Sequence, residues 1–162
     1  MENNNKKKTI IAYLDRVVIN TLSGENYPTN FFDMRINFSV LKALKEYSPE
    51  RIILFANRTI IHSGNKVNNR EFWSKITFIK SGISNYMRLS RKEIKIEALY
   101  SIAHDWILGL DPDSDSFLSA IPGFISENTL FIGPDDLTGK DFCENNNIEF
   151  ITVKNFLNNY GN

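Results

Sequence analysis

The feature that most constrains the fold is the first hydrophobic segment of the chain, Thr9 to Ile19. It is rich in β-branched and apolar residues and is hydrophobic on both sides of Asp15 and Arg16. A continuous run of this kind is typical of a strand that is buried on both faces, as the inner strands of parallel sheets are. Similar segments occupy Arg51–Ala56 and Thr129–Ile132. The sequence therefore predicts a core built around a buried sheet.

Segments with helical periodicity lie between these predicted strands. Ile36–Tyr47 carries apolar residues at intervals of three and four, with charged residues on the opposite side. Ser90–Leu108 has similar spacing over a longer stretch, which predicts a long helix. The remaining predicted elements are shorter: helices at Val67–Trp73, Lys140–Asn146 and Val153–Tyr160, and strands at Ile76–Ile79 and Ile148–Thr152.

Strands that alternate with helices predict an α/β fold. We expect a three-layer, Rossmann-like architecture, in which a mostly parallel sheet of about five strands has helices on both faces. A chain of 162 residues is long enough to bury one core of this kind. Residues 9–162 are predicted to form a single domain without a large insertion, after a polar and flexible N-terminal segment at residues 1–8.

Composition argues against several classes of function. Lys and Arg total 19 and Asp and Glu total 19, so the chain has no net charge to attract nucleic acid. A single cysteine, Cys143, rules out an internal disulfide, and two distant histidines, His62 and His104, argue against a zinc site. The sequence contains no apolar stretch of membrane-spanning length and no signal-peptide core. We therefore expect a cytoplasmic protein without a membrane partner.

Polar residues follow the predicted strands, at the sheet edge where parallel α/β folds bind ligands. The candidates are Asp15 at or near the end of the first strand, Asn57 and Arg58 after the second, Lys92 at the start of the predicted long helix, and Asp135 and Asp136 after the strand at Thr129–Ile132. Such a set suits phosphoryl transfer, because a carboxylate can attack phosphorus while a cation and Mg²⁺ offset the phosphate charge.

Four of these segments resemble the motifs of the haloacid dehalogenase (HAD) superfamily, in an order and spacing that cover nearly the whole chain. YLDRVVIN, from Tyr13, resembles a hydrophobic strand that runs into Asp-x-Asp-Gly. FANR, from Phe55, resembles a strand that ends in Thr or Ser, and RKE, from Arg91, resembles a Lys at a helix start. IGPDDLTGKDF, from Ile132, resembles a strand followed by Gly-Asp and a later Asp. The chain is most similar to the small capless phosphatases of the histidinol-phosphate and polynucleotide 3′-phosphatase type.

The resemblance gives each candidate a role. It implies catalytic roles for Asp15 and Lys92, substrate binding by Asn57 and Arg58, and a Mg²⁺ site formed by Asp15, Asp135 and Asp136. Plainer interpretations stay open: Asp15 as a turn cap or a partner of Lys92, Lys92 as a solvated residue, Asn57 as a partner of backbone groups, and Asp135 and Asp136 as an Asx-turn that caps the next helix.

The first two motifs also depart from the family pattern. Val17 stands where the family has the second Asp, which protonates the leaving oxygen and then activates water, and Val18 replaces the glycine of the turn. Ala56 replaces the hydroxyl that binds phosphate, and Pro134 separates Gly133 from the acidic pair. Loss of general acid–base catalysis alone costs about 10²- to 10⁴-fold in rate. We therefore expect a HAD-like fold with an eroded active site.

Two functions compete on this basis. The first is a non-catalytic HAD-like pseudoenzyme that binds a partner protein or serves in an assembly. A composition typical of an AT-rich genome suits an accessory protein of a phage or mobile element, including one associated with the virion. The alternative is a Mg²⁺-dependent phosphomonoesterase that acts on a small phosphorylated metabolite or a nucleic-acid end. Hydrolysis of another kind that tolerates the missing Asp is less favoured, since no cap domain excludes water.

Overall fold

A parallel sheet of five strands organises the part of the chain that the computed structural model describes, which comprises residues 6–26, 31–58, 77–79, 81–86, 95–102, 118 and 121–161. Its strands are β1 (Thr9–Tyr13), β4 (Arg51–Arg58), β5 (Lys95–Ile102), β6 (Thr129–Gly133) and β7 (Glu149–Thr152). They lie in the order β5-β4-β1-β6-β7, and each neighbouring pair is parallel. A separate antiparallel pair consists of β2 (Ile19–Thr21) and β3 (Met34–Ile36).

Three labelled helices accompany the sheet: α1 (Phe38–Tyr47), α2 (Lys140–Asn145) and α3 (Val153–Tyr160). Residues 77–79 and 81–86 are also helical. The α1 helix ends at Ser48, whose left-handed backbone (φ 53°) lets its N–H group donate to the carbonyl of Leu44. The α3 helix begins at Thr152, whose side chain accepts a hydrogen bond from the N–H group of Asn155.

The β1 strand is the centre of the sheet, because β4 pairs with one of its edges and β6 with the other. Ile11 lies in register between Ile53 and Phe131, and all three side chains are buried. Ile10, Ala12 and Tyr13 of β1 are also buried. Every face and edge of this strand is therefore covered, which explains why its sequence is apolar without alternation.

Helices lie against both faces of the sheet. The chain crosses from β1 to β4 in one direction and from β6 to β7 in the other, so right-handed crossovers place α1 and α2 on opposite faces. Phe142 of α2 contacts Phe131 of β6, with ring centroids 6.4 Å apart. On the other face α1 packs against α3, where the rings of Tyr47 and Phe156 are 5.8 Å apart. The predicted α/β fold with a mostly parallel sheet flanked by helices is confirmed.

The first strand is shorter than the sequence predicts. It ends at Tyr13 rather than Ile19, because the following residues form a turn: the N–H group of Leu14 still donates to Phe55 in the sheet, but that of Ile19 donates back to Leu14 at 2.9 Å. The apolar character of residues 17–19 goes with their burial and not with pairing in the five-stranded sheet, since Ile19 begins the separate strand β2.

The predicted long helix at Ser90–Leu108 is wrong over its central part, which is strand β5. Apolar residues recur there at every second position (Ile96, Ala98, Tyr100, Ile102) as well as at helical spacing, and pairing with the full length of β4 favours the extended form. The predicted strand at Ile76–Ile79 is also wrong, since residues 77–79 are helical. The predicted helix at Val67–Trp73 lies outside the described residues.

None of the helices in the described parts of the chain is both long enough and apolar enough to cross a bilayer.

Gly133, the last residue of β6, is a test of how tightly the sheet is packed at its carboxyl edge. A Cβ atom added there would lie 2.7 Å from Cζ of Phe150 and 2.9 Å from the carbonyl oxygen of Thr138. We expect Gly133→Ala to lower the free energy of unfolding by about 1–3 kcal/mol, measured by urea denaturation. Gly82→Ala is the control, because its Cβ would meet only the flexible end of Ile36 at 3.0 Å. Equal effects of the two substitutions would contradict the prediction.

Candidate functional site

The turn after β1 carries the first candidate residues to the carboxyl edge of the sheet. Backbone hydrogen bonds close it, including one from Arg16 N–H to the carbonyl of Ile19 at 2.8 Å. Arg16 adopts a left-handed backbone (φ 65°), which is uncommon for a residue with a long side chain. Asn37, just before α1, holds the turn from outside through its side chain, which donates to the carbonyl of Val17 at 3.1 Å. The turn is thus fixed on both sides.

Asp15 and Val17 are both inside the protein. Asp15 is 0% exposed, so its carboxylate does not face solvent from which a substrate would approach. Val17 is also 0% exposed and belongs to the hydrophobic core together with Val18. The position at which the family resemblance expects the general acid–base carboxylate is therefore filled by an apolar side chain packed in the core.

Asp135 holds the acidic loop against the last helix. Its Oδ1 accepts a hydrogen bond from the backbone N–H group of Lys154 at 3.0 Å. Lys154 lies in the first turn of α3, where N–H groups have no partner within the helix. Together with Thr152, Asp135 thus caps this helix from a loop 19 residues earlier.

Asp136 pairs with Arg16 across the carboxyl edge of the sheet. Nη1 of Arg16 donates to Oδ2 of Asp136 in a short, charged contact that joins the turn after β1 to the loop after β6. The other carboxylate oxygen accepts bonds from the hydroxyl of Thr138 at 2.6 Å and from its N–H group at 3.1 Å. The second contact is the Asx-turn that the sequence leaves open as an alternative.

These contacts change the acidity of Asp136. The Thr138 hydroxyl makes the largest contribution and, with the Arg16 guanidinium, holds the pKa of the Asp136 carboxyl below its ordinary value of 3.8, against partial burial that raises it. The carboxylate is ionised at neutral pH with its charge offset by a protein cation. Arg16 was not among the residues singled out from the sequence, although it follows Asp15 directly; its unusual backbone is visible only in the structure.

The other sequence candidates are not all brought to this edge. Asn57 and Arg58 are the last residues of β4, so their backbone reaches the carboxyl edge beside β1. Lys92 lies outside the described residues. Over residues 95–102 the predicted helix is strand β5 instead, whose first residue, Lys95, lies at the opposite edge of the parallel sheet from Asp15.

The structure does not gather the residues predicted to hold Mg²⁺ into a metal-binding group. Across the described ranges, no group of three or more His, Cys, Asp or Glu side chains is arranged to hold a metal. One oxygen of Asp135 caps α3, and both oxygens of Asp136 already have donors. Magnesium prefers several oxygen ligands in near-octahedral geometry, and the carboxylates of Asp135 and Asp136 are instead hydrogen-bonded to protein groups.

Two further features bear on chemistry near this edge. A cavity of about 430 Å³ lies beside the acidic loop, between α2 and the face of the sheet that carries Tyr13 and Phe131. Cys143, also on α2, is fully buried, and burial raises the pKa of its thiol to about 12. A thiolate nucleophile is therefore not available there at neutral pH.

No protein-family model matches this chain, and no curated protein is significantly similar to it in sequence.

The capping role of Asp135 can be separated from a metal-binding role by two substitutions. We expect Asp135→Ala to lower the free energy of unfolding by about 1 kcal/mol, since the N–H group of Lys154 loses its acceptor. Asp135→Asn keeps an acceptor oxygen and is expected to retain most of the stability, although it removes the charge that a metal needs. Thermal and urea unfolding without added metal measure both. An unchanged free energy in Asp135→Ala would contradict the capping role.

The lowered pKa of Asp136 predicts how the free energy of unfolding depends on pH. Its pKa is lower in the folded protein than in the unfolded chain, so its ionised form stabilises the fold. We expect the difference in unfolding free energy between wild type and Asp136→Asn to be constant above the unfolded-state pKa. It should shrink as the pH falls through the lower, folded-state value. Urea unfolding at a series of acidic pH values measures this difference, and a difference that grows on acidification would contradict the assignment.

Proposed function

We propose that this chain is a HAD-like protein with an eroded phosphatase site, which acts as a non-catalytic binding or assembly component in the cytoplasm. The observation that carries the proposal is the ion pair between Arg16 and Asp136. It supplies a protein cation to the acidic loop, where the family resemblance would expect a metal. A phage or mobile-element protein, including one associated with the virion, is the setting that we propose for it.

The arrangement of the strands supports the HAD-like part of the proposal. β4, β1 and β6 are neighbours in the sheet. The segments that resemble the first, second and fourth motifs therefore all reach the carboxyl edge of the sheet. In parallel α/β sheets this is the edge at which ligands bind, and the chain reverses its direction of winding between β1 and β6.

The burial of the first motif supports the loss of catalysis. A nucleophile must reach the phosphorus atom, and Asp15 is fully buried. The second carboxylate of the family pattern is replaced by Val17, whose side chain is part of the core. The burial of both residues supports the proposal that this motif does not react with a ligand from solvent.

Exposed aromatic residues support the binding part. Phe32, Phe38 and Phe78 are 86%, 60% and 55% exposed, and the ring of Phe38 lies 6.2 Å from that of Tyr86. Contiguous apolar patches at a protein surface mark contact sites for partner proteins, and the neighbouring rings of Phe38 and Tyr86 are the candidate for such a patch.

A Mg²⁺-dependent phosphomonoesterase is the alternative, favoured by the position of Asp15 and Asp136 after neighbouring strands. It requires the Arg16–Asp136 pair to open and Asp15 to become accessible. Its substrate would be a small phosphorylated metabolite or a nucleic-acid end, as the resemblance implies.

Hydrolysis of an aryl phosphate with millimolar Mg²⁺ distinguishes the two functions. We expect wild type to show no metal-dependent turnover above that of Asp15→Asn, because the nucleophile is buried and the general acid–base group is absent. Turnover in wild type that Asp15→Asn abolishes would overturn the proposal and establish the phosphatase.

Arg16→Gln and Val17→Asp complete this experiment. Arg16→Gln removes the guanidinium while keeping a hydrogen-bonding side chain, and we expect it to remain inactive since Val17 is unchanged. Val17→Asp places a carboxylate in the core and is expected to lower the free energy of unfolding more than Val17→Ala, which loses packing alone. Recovery of hydrolysis in Val17→Asp without loss of stability would contradict the burial argument.

A further inference from the structure

The cavity beside the acidic loop has the size of a small-molecule site. Its volume of about 430 Å³ falls within the range of about 300 to 1,000 Å³ that ligand pockets occupy. It lies where the loop after β6 and helix α2 meet the end of β1, close to the point at which the winding of the sheet reverses. This is the position at which open α/β sheets bind ligands.

Aromatic rings form the sheet side of the cavity. Tyr13, Phe55 and Phe131 come from three adjacent strands and contact one another, with centroid distances of 5.3 Å for Tyr13–Phe55 and 5.9 Å for Phe55–Phe131. Phe142 extends the aromatic wall from α2. These rings are only 1–8% exposed, so they form the floor of the cavity, while Leu137, which is 49% exposed, supplies accessible apolar lining.

The charge of the opposite wall selects the sign of the ligand. Among the described residues that line the cavity, two are charged, and both are carboxylates: Asp136 and Asp141. Asn145 and Asn146 add side-chain amides to the same lining. Asp136 is paired with Arg16. Asp141 makes no ion pair or side-chain hydrogen bond within the described part of the chain, so its charge is available to a ligand.

We propose that this cavity binds a small organic cation, an amine carried on an apolar or aromatic body. The body lies against Leu137 and the exposed edges of the rings, and the ammonium group faces Asp141 and the neighbouring amides. Phosphate and other anions are disfavoured, because they would meet a carboxylate without a compensating cation. The site goes beyond the proposed function and does not depend on it, since it uses neither Asp15 nor a metal.

Three probes that share a phenyl ring test the proposal: phenethylammonium, 2-phenylethanol and 3-phenylpropionate, which carry positive, zero and negative charge. We expect calorimetric titration of the full chain to rank their affinities in that order. Amide chemical shifts should change at residues 138–146 when the amine is added. Added salt should weaken binding of the amine and leave that of the alcohol unchanged.

Two variants on the same helix locate the charge that is recognised. We expect Asp141→Asn to weaken amine binding about fivefold, the amount typical of one exposed ionic contact, with no effect on the alcohol. Glu144→Gln is the matched control, because Glu144 is exposed, pairs with Lys140 at 3.5 Å and does not line the cavity. Its amine affinity should equal that of wild type.

Three outcomes would overturn the proposal: equal or tighter binding of the carboxylate probe, an unchanged amine affinity in Asp141→Asn, or no binding of any probe. None of them bears on the eroded-site proposal, which is tested by hydrolysis of an aryl phosphate. The failure of one proposal is thus distinguishable from the failure of the other.

Discussion

The burial of β1 on all sides is the constraint from which the rest of the structure follows. Its backbone is paired on both edges, and its side chains are covered on both faces. The buried positions of such a strand favour apolar residues, so charged side chains lie beyond the point where the strand leaves the sheet. Since β4 and β6 run parallel on either side, the loops that follow all three strands lie at one edge. The position of the candidate site is thus a consequence of packing the centre of the sheet.

At that edge, short-range contacts decide what the polar residues do. The turn after β1 directs alternate side chains in opposite directions: Asp15 and Val17 are inside, while Arg16 reaches across to Asp136. The acidic loop is committed in a similar way, because Asp135 caps α3 and Asp136 closes its own turn. Asp135 and Asp136, two of the candidates from the sequence, therefore hold loops together. The charge that stays available, on Asp141, lies one element further along the chain.

Much of the fold could be predicted from the sequence, because most elements carry only one periodicity. The bounds of β4, β6, β7 and the three labelled helices agree with prediction to within about two residues, as expected for unambiguous patterns. β5 was predicted as a helix because its apolar residues satisfy both periods, and only the need of β4 for a partner decides between them. The hairpin of β2 and β3 was missed because three-residue strands leave almost no pattern.

The site was less predictable, since a carboxylate in a loop has the same sequence signal whether it binds a metal, caps a helix or pairs with an arginine. The turn after β1 also makes the environments of neighbouring residues depend on one another. Arg16 has a left-handed backbone and its side chain pairs with Asp136, while Val17, the next residue, is buried in the hydrophobic core. A change that rotates the turn would exchange these two environments and harm both residues. Substitutions at positions 16 and 17 are therefore expected to be epistatic in evolution, so that each is tolerated only when the other is already compatible with it.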